Sequence, residues 1–135
     1  MLRLFFEDDY ATIELDDAVP CVKTTLRGVP RSSEHYQEVQ KKRLELMRRE
    51  INHFRRLHML TDSSAAGPVL DDDIDYFKKS VLPAMEDAGV RYLAIVIPRS
   101  KFTMLTIQEM TENAEKITVR YFDKLADARE WLRNQ

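Results

Sequence analysis

The stretch that decides the fold is residues 89–98, GVRYLAIVIP, in which a glycine precedes an almost unbroken run of apolar residues. A strand of this kind carries apolar side chains on both faces, so helices must cover both faces of the sheet around it. Sheets of this class bind ligands at the ends of their strands. The stretch therefore predicts an α/β fold and indicates where a site would lie. It contains no motif that names a reaction.

Helices and strands alternate on both sides of this run. Before it, a helix is predicted to start near residues 71–73, and Pro83 within that helix is expected to kink it or loosen a turn. After it, Ser100 is placed to cap a third helix, residues 117–122 read as a strand, and Asp123 is placed to cap a last helix. This half of the chain therefore predicts strand–helix units that support parallel pairing.

The first half of the chain has a different pattern. Residues 2–7, 10–15 and 21–27 are short segments rich in aromatic and β-branched residues, and acidic turns separate them. A long amphipathic helix with Ser32 or Ser33 as N-cap follows, and then a short strand at residues 57–61. The predicted architecture is a mixed α/β sheet with an antiparallel N-terminal edge, a parallel βαβ portion and helices packed over it.

Composition bounds the function classes. The 135 residues are 44% hydrophobic, which predicts one domain over residues 1–135. A net charge of -2 provides no overall positive field for nucleic acid. The one cysteine, Cys21, reads as a buried apolar residue, and no apolar run is long enough to span a membrane. We expect a soluble, cytoplasmic protein. The exposed edge at the first strands could pair with a second copy, so both a monomer and a homodimer are compatible with the sequence.

A candidate anion site is predicted where two strands end. Residues 57–61 and 90–97 are predicted to be the two most central strands. If they run parallel, their carboxyl ends bring six polar residues to one edge of the sheet. Residues 62–68 are predicted to form a loop there. The six are Asp62, Ser63, Ser64, Arg99, Ser100 and Lys101. Hydroxyls and two cations beside helix N-termini are suited to an anion or a phosphate. The alternative interpretation is that these residues only close turns, cap helices and face solvent.

Other chemistries lack support in the sequence. The three histidines, His35, His53 and His58, have no recognisable relation to a serine nucleophile, and no motif for a metal or a cofactor is present. We therefore expect no cofactor, no metal and no enzymatic activity. Basic doublets at residues 41–42, 48–49 and 55–56 are seven residues apart, which places them along one face if the helix continues that far. We interpret that face as solvated, with docking of an acidic partner or contact with anionic lipid as the alternative.

The order of elements resembles the bacterial SpoIIAA-like group, which is related to STAS domains and often described alongside the SEC14 lipid-binding fold. The landmarks are YATIELDD, the strand ending LTDSS, the helix ending LPAMEDAGV, the strand RYLAIVIPRSKF and the closing YFDKLADAREWL. The resemblance implies a mixed sheet of four to six strands and a role in binding. In antagonist-type STAS domains, a serine after the central strand is phosphorylated, and Ser63 or Ser64 occupies the comparable place. This chain departs from that pattern, because residues 65–68 separate the serines from the next helix.

Two functions follow as expectations. The first is a regulatory or protein-interaction module that meets a protein partner through the surface around residues 62–68. The second is a carrier or sensor of a small apolar or lipid-like ligand, which the SEC14 likeness and the methionine-rich helices suggest. An enzyme using Ser63 or Ser64 with Asp62 ranks behind both, because no base is placed beside either hydroxyl.

Overall fold

Six strands follow one another across a mixed sheet in the order in which they occur in the chain. The computed structural model describes all 135 residues. The first three strands pair antiparallel, and the third to the sixth pair parallel, which confirms the predicted architecture. The strands are β1 (Leu2–Glu7), β2 (Ala11–Asp16), β3 (Cys21–Gly28), β4 (His58–Ala66), β5 (Tyr92–Val96) and β6 (Thr118–Phe122).

Helices occupy every connection from β3 onward, as the alternation predicts. Parallel neighbours need such crossovers, because the chain must return to the starting edge of the sheet before each new strand. The helices are α1 (Ser33–Glu50), α2 (Asp71–Tyr76), α3 (Leu82–Ala88), α4 (Lys101–Thr111) and α5 (Leu125–Arg133). A 3₁₀ turn at Ile51–His53 follows α1, and a π-helical turn at Phe77–Val81 joins α2 to α3.

The two faces of the sheet are covered unequally. The first four helices pack on one face, here called the α1–α4 face, and α5 packs on the other, the α5 face. Strand β5 shows the division, since Leu93 and Ile95 belong to the core of the α1–α4 face, whereas Ala94 and Val96 belong to that of the α5 face. The apolar run that predicted an inner strand is therefore covered on both faces, as its sequence requires.

Several local signals act as predicted. The Ser32 side chain accepts a hydrogen bond from the backbone N–H of His35 and caps α1. Gly89 ends α3 at φ 105°, a left-handed conformation that glycine adopts without the steric cost of a side chain. The π-helical turn ends two residues before Pro83, which has no N–H to donate, so the loosened turn is confirmed. Cys21 is fully buried, also as predicted.

Strand β4 differs from the prediction. Residues 62–66 extend the strand instead of forming a loop, because Ala65 and Ala66 pair with Arg27 and Gly28 of β3 across an irregularity in register. Small residues read as a loop locally, but a neighbouring strand supplies the hydrogen bonds that keep them extended. The centre of the sheet lies between β3 and β4, so β5 is next to the edge strand and is not one of the two most central strands.

Two helix boundaries also differ. Asp123 does not cap the last helix: the N-cap is Lys124, without a side-chain hydrogen bond. Helix α1 ends at Glu50, and Phe54 is extended, so Arg55 and Arg56 lie beyond the helix. The third basic doublet is therefore not part of one helical face with the other two. None of the helices is long and apolar enough to cross a membrane.

Candidate functional site

The six residues of the predicted anion site all lie near the carboxyl end of β5, with Asp62, Ser63 and Ser64 inside β4 and not at its end. Asp62 is opposite Val96 in the parallel ladder, which brings the two groups to the same edge. Residues 62–64 and residues 99–101 nevertheless make only local hydrogen bonds with their side chains. Asp62 Oδ1 accepts hydrogen bonds from the Ser64 N–H at 3.0 Å and the Ser64 hydroxyl at 2.7 Å. Ser100 Oγ accepts one from the Thr103 N–H at 3.4 Å. These are the local turn and cap contacts of the alternative interpretation.

The two cations of the predicted site form no ion pair. Arg99 and Lys101 are exposed, and neither takes part in an ion pair. No hydrogen bond joins residues 99–101 to residues 62–64. The sequence therefore placed these residues at the correct edge without identifying a joined set.

The adjacent serines lie on different sides of β4. Ser63 is only 2% exposed and lines a cavity on the α1–α4 face. Ser64 is exposed and bonds to Asp62, and neither of these two lines the cavity. The alternation of a strand separates neighbouring side chains in this way. Ser63 and Ser64 therefore belong to two different environments, which a loop prediction cannot distinguish.

The cavity lies between the sheet and helices α1, α2 and α4. Its volume is about 50 Å³. A single water needs about 10–15 Å³ on this scale, so about four waters or a ligand of four to five heavy atoms would fill it. Apolar side chains form much of its wall: Leu26, Val69, Phe77, Leu93, Ile95, Ile107 and Met110.

The most unusual residue in this wall is Arg43 of α1, which is only 1% exposed. Its Nη1 donates to Gln40 Oε1 at 3.1 Å and its Nη2 to Thr61 Oγ1 at 2.7 Å, whereas Nε has no partner. No carboxylate forms an ion pair with it. Burial lowers the pKa of Arg43 to about 10, so its guanidinium is charged at neutral pH.

A buried acid lines the same cavity. Asp73, in the first turn of α2, is 1% exposed, and its Oδ1 has no hydrogen-bond partner. Tyr10 and Tyr36 complete this polar part of the wall, and burial raises the pKa of both phenols, so they remain protonated donors. The cavity therefore offers a cation, a carboxylate and hydroxyl groups inside a largely apolar wall.

Reasoning from sequence missed Arg43 and Asp73, although a signal for each was present. Arg43 is four residues after Val39 and four before Met47, so it lies on the apolar stripe of α1. Asp73 is four residues before Phe77, on the buried side of α2. A charge on an apolar stripe is costly to bury and is therefore informative. The basic doublets of α1 drew attention to the charges on its outer face instead.

Comparison with known proteins does not name this site. No protein-family model, no curated protein and no solved structure matches the chain. The resemblance to the SpoIIAA-like group stays a prediction.

Proposed function

We propose that this protein is a non-enzymatic binding module that carries or senses a small organic acid in the cavity of the α1–α4 face. The observation that supports the proposal is the buried guanidinium of Arg43, which has no carboxylate partner in the chain. Its chemistry specifies one end of the ligand, since a guanidinium binds carboxylates in a bidentate manner.

Energetics favour a ligand role for this arginine over a purely structural one. Taking a charged group out of water costs several kcal/mol, and the neutral partners Gln40 and Thr61 offset only part of that cost. An apolar side chain of similar size would fill the same space without the cost. A ligand oxyanion would supply the ion-pair partner that Arg43 lacks, and it would gain from the low dielectric of the site.

The remaining wall describes the other end of the ligand. Asp73 Oδ1 has no hydrogen-bond partner and can accept one from a ligand, so it favours a ligand that carries a hydroxyl or an ammonium group. The cavity volume of about 50 Å³ limits the ligand to a short chain. We therefore favour a small hydroxy acid or amino acid over the lipid-like ligand that the resemblance implies.

The test is a thermal-shift series with acetate, glycolate and glycine, each compared with uncharged acetamide. A ligand that binds only the folded chain raises the melting temperature in proportion to its affinity. We expect at least one acid to raise it in the wild type more than acetamide does. Arg43→Met should abolish the difference, and Arg48→Met, at an exposed position of the same helix, should preserve it.

A second variant guards against loss of folding in Arg43→Met. Ser63→Val adds methyl groups to the cavity wall while it leaves Arg43 in place, and valine suits a strand. It should weaken acid binding by reducing the space. Equal shifts with acids and acetamide, or acid binding that survives both variants, would contradict the proposal and leave the cavity as a site for water.

The regulatory function is a second candidate because Ser64 is exposed. Its hydroxyl lies on β4 beside Asp62, within the surface that we expect to meet a partner protein. Ser63 is less suited to phosphorylation, since it is buried. A partner protein that binds the wild type and Ser63→Ala but not Ser64→Glu would favour this function, and indifference to Ser64→Glu would count against it.

A further inference from the structure

Four cations lie together at the amino ends of the parallel strands. Arg55 and Arg56 come shortly before β4, Arg91 directly before β5 and Lys116 shortly before β6. Parallel strands all begin at one edge of the sheet, so these positions converge although the chain separates them by up to 61 residues. The four side chains line one groove of about 320 Å³, here called the amino-edge groove.

The amino-edge groove has no internal counter-ion. None of its four cations forms an ion pair, and its lining contains no carboxylate. Arg91 Nη1 donates to the backbone carbonyls of Glu86 and Val90, and these neutral contacts hold it in place without neutralising it. Four exposed positive charges in one concavity therefore repel one another when it is empty.

The acidic residues nearest the groove in the chain or in contact with its residues, among them Glu86 and Asp87, do not line it. The carboxylate of Glu86 accepts the backbone N–H groups of residues 115, 116 and 117, and it fixes the turn before β6. Asp87 is exposed and lines a different groove. Glu86 partly offsets the charge of Lys116, but no carboxylate lies among the three arginines.

From this arrangement we propose that the amino-edge groove binds a small molecule that carries two or more phosphate groups. Arginine guanidinium groups match phosphate oxygens in a bidentate manner, and several cations together suit a multiply charged ligand. The groove is at the lower end of the size range of small-molecule sites. A small polyanion fits better than nucleic acid, since the chain as a whole has a net charge of -2 and its positive field is local.

His58 provides a built-in reporter for this groove. It lies in the lining and is only 3% exposed, and its ring contacts Tyr92 edge to face at 5.7 Å. Burial first and the charge of Arg56 second lower the pKa of His58. A bound phosphate would offset the positive charge of Arg56 and so raise that pKa.

The test uses inorganic triphosphate as the probe, titrated into the full chain by calorimetry. The variant Arg55→Gln/Lys116→Gln removes two groove cations whose side chains make no ion pair or side-chain hydrogen bond, so the fold is not at risk. We expect it to weaken triphosphate binding by about tenfold or more. Lys41→Gln/Arg48→Gln removes the same two residue types from exposed positions of α1, and it should change binding by less than about twofold.

Histidine NMR provides the second readout. At a triphosphate concentration that half-saturates the wild type, the pKa of His58 should rise in the wild type and in Arg43→Met, and it should rise much less in Arg55→Gln/Lys116→Gln. His35, which does not line the groove, serves as the internal reference. Equal weakening in both double variants would overturn the proposal, because it would show only a net-charge effect. Binding of duplex DNA or anionic vesicles without binding of triphosphate would overturn it as well. The outcome is independent of the proposed function, since Arg43 does not line this groove.

Discussion

On the α5 face, the guanidinium of Arg129 donates to the carboxylate of Asp16 at 2.7 Å and 3.3 Å, and Asp16 is only 1% exposed. On the α1–α4 face, the guanidinium of Arg43 is equally deep and meets only the neutral Gln40 and Thr61. One face therefore buries a carboxylate in an ion pair, and the other buries a guanidinium that forms none, although Asp73 lines the same cavity.

This difference separates a structural charge from one that is available for binding. Arg129 fastens α5 to β2, and its side chain, 37% exposed, remains partly hydrated. Arg43 contributes no such bond between carboxylate and guanidinium, and it lines a cavity. Replacement of Arg129 by methionine should therefore lower the stability of the fold, whereas the same replacement of Arg43 should mainly remove ligand binding.

The largest effect is expected for Arg129→Met. Removal of this arginine leaves the buried carboxylate of Asp16 without its partner, which should lower the free energy of unfolding by about 3 kcal/mol. Urea unfolding measures the change. Arg133→Met, at an exposed position of the same helix, is the control. Asp16→Asn/Arg129→Met should recover part of the loss, and an additive double variant would show that the two side chains do not interact.

A second carboxylate with hydrogen-bond partners, Asp8, tests whether a charged group stabilises the fold because it is paired, whichever face of the sheet it lies on. Asp8 accepts hydrogen bonds from the backbone N–H groups of Tyr10 and Ala11 and contacts His35 Nε2 at 2.7 Å, which ties the β1–β2 turn to α1. We expect Asp8→Ala to lower the free energy of unfolding by about 2 kcal/mol. Glu34→Ala, an exposed acid in the first turn of the same helix, is the control.

The Asp8 contribution should depend on pH. Burial alone would raise the pKa of Asp8, but the hydrogen bonds from His35 and the two backbone N–H groups outweigh it and lower the pKa below its ordinary value of 3.8. A group whose pKa is lower in the folded state stabilises the protein at any pH above its pKa in the unfolded state. This stabilisation is lost as the pH falls through the folded-state pKa. The gap between wild type and Asp8→Ala should therefore be full above pH 3.8 and shrink below it. A gap that is unchanged there would exclude the charged carboxylate as its source.

Arg43→Met should change the free energy of unfolding by no more than about 1 kcal/mol, because relief from a buried charge offsets two lost hydrogen bonds. Urea unfolding without added organic acid makes the comparison with Arg129→Met direct. If Arg43→Met lowered the free energy of unfolding as much as Arg129→Met does, the two faces would not differ in this respect, and Arg43 would be a structural residue.

The smallest effect is expected for Ser64→Glu, within about 0.5 kcal/mol, because the side chain is exposed. Thermal unfolding measures it. A larger loss would show that the bond between Ser64 and Asp62 stabilises the end of β4 and would weaken the use of this variant as a phosphate mimic.

Much of the fold follows from local patterns. The strands at Leu2–Glu7, Ala11–Asp16 and Cys21–Gly28 lie within about a residue of their prediction, because short apolar segments between acidic turns have few other arrangements. The error at β4 had a non-local cause: the hydrogen bonds that extend it to Ala66 come from β3, more than thirty residues earlier. The sequence also located the edge that holds Ser63, but not its inward orientation.

By itself, the sequence determined the order of elements, the double-sided burial of β5 and the end of α3 at Gly89, because periodicity and backbone preference act over a few residues. Only the tertiary structure decided which charges are partnered. Asp16 forms an ion pair with Arg129, 113 residues away in the chain, whereas Arg43 forms none. Ion pairs of this kind depend on which helix covers which face of the sheet, and that depends on the packing of the whole chain.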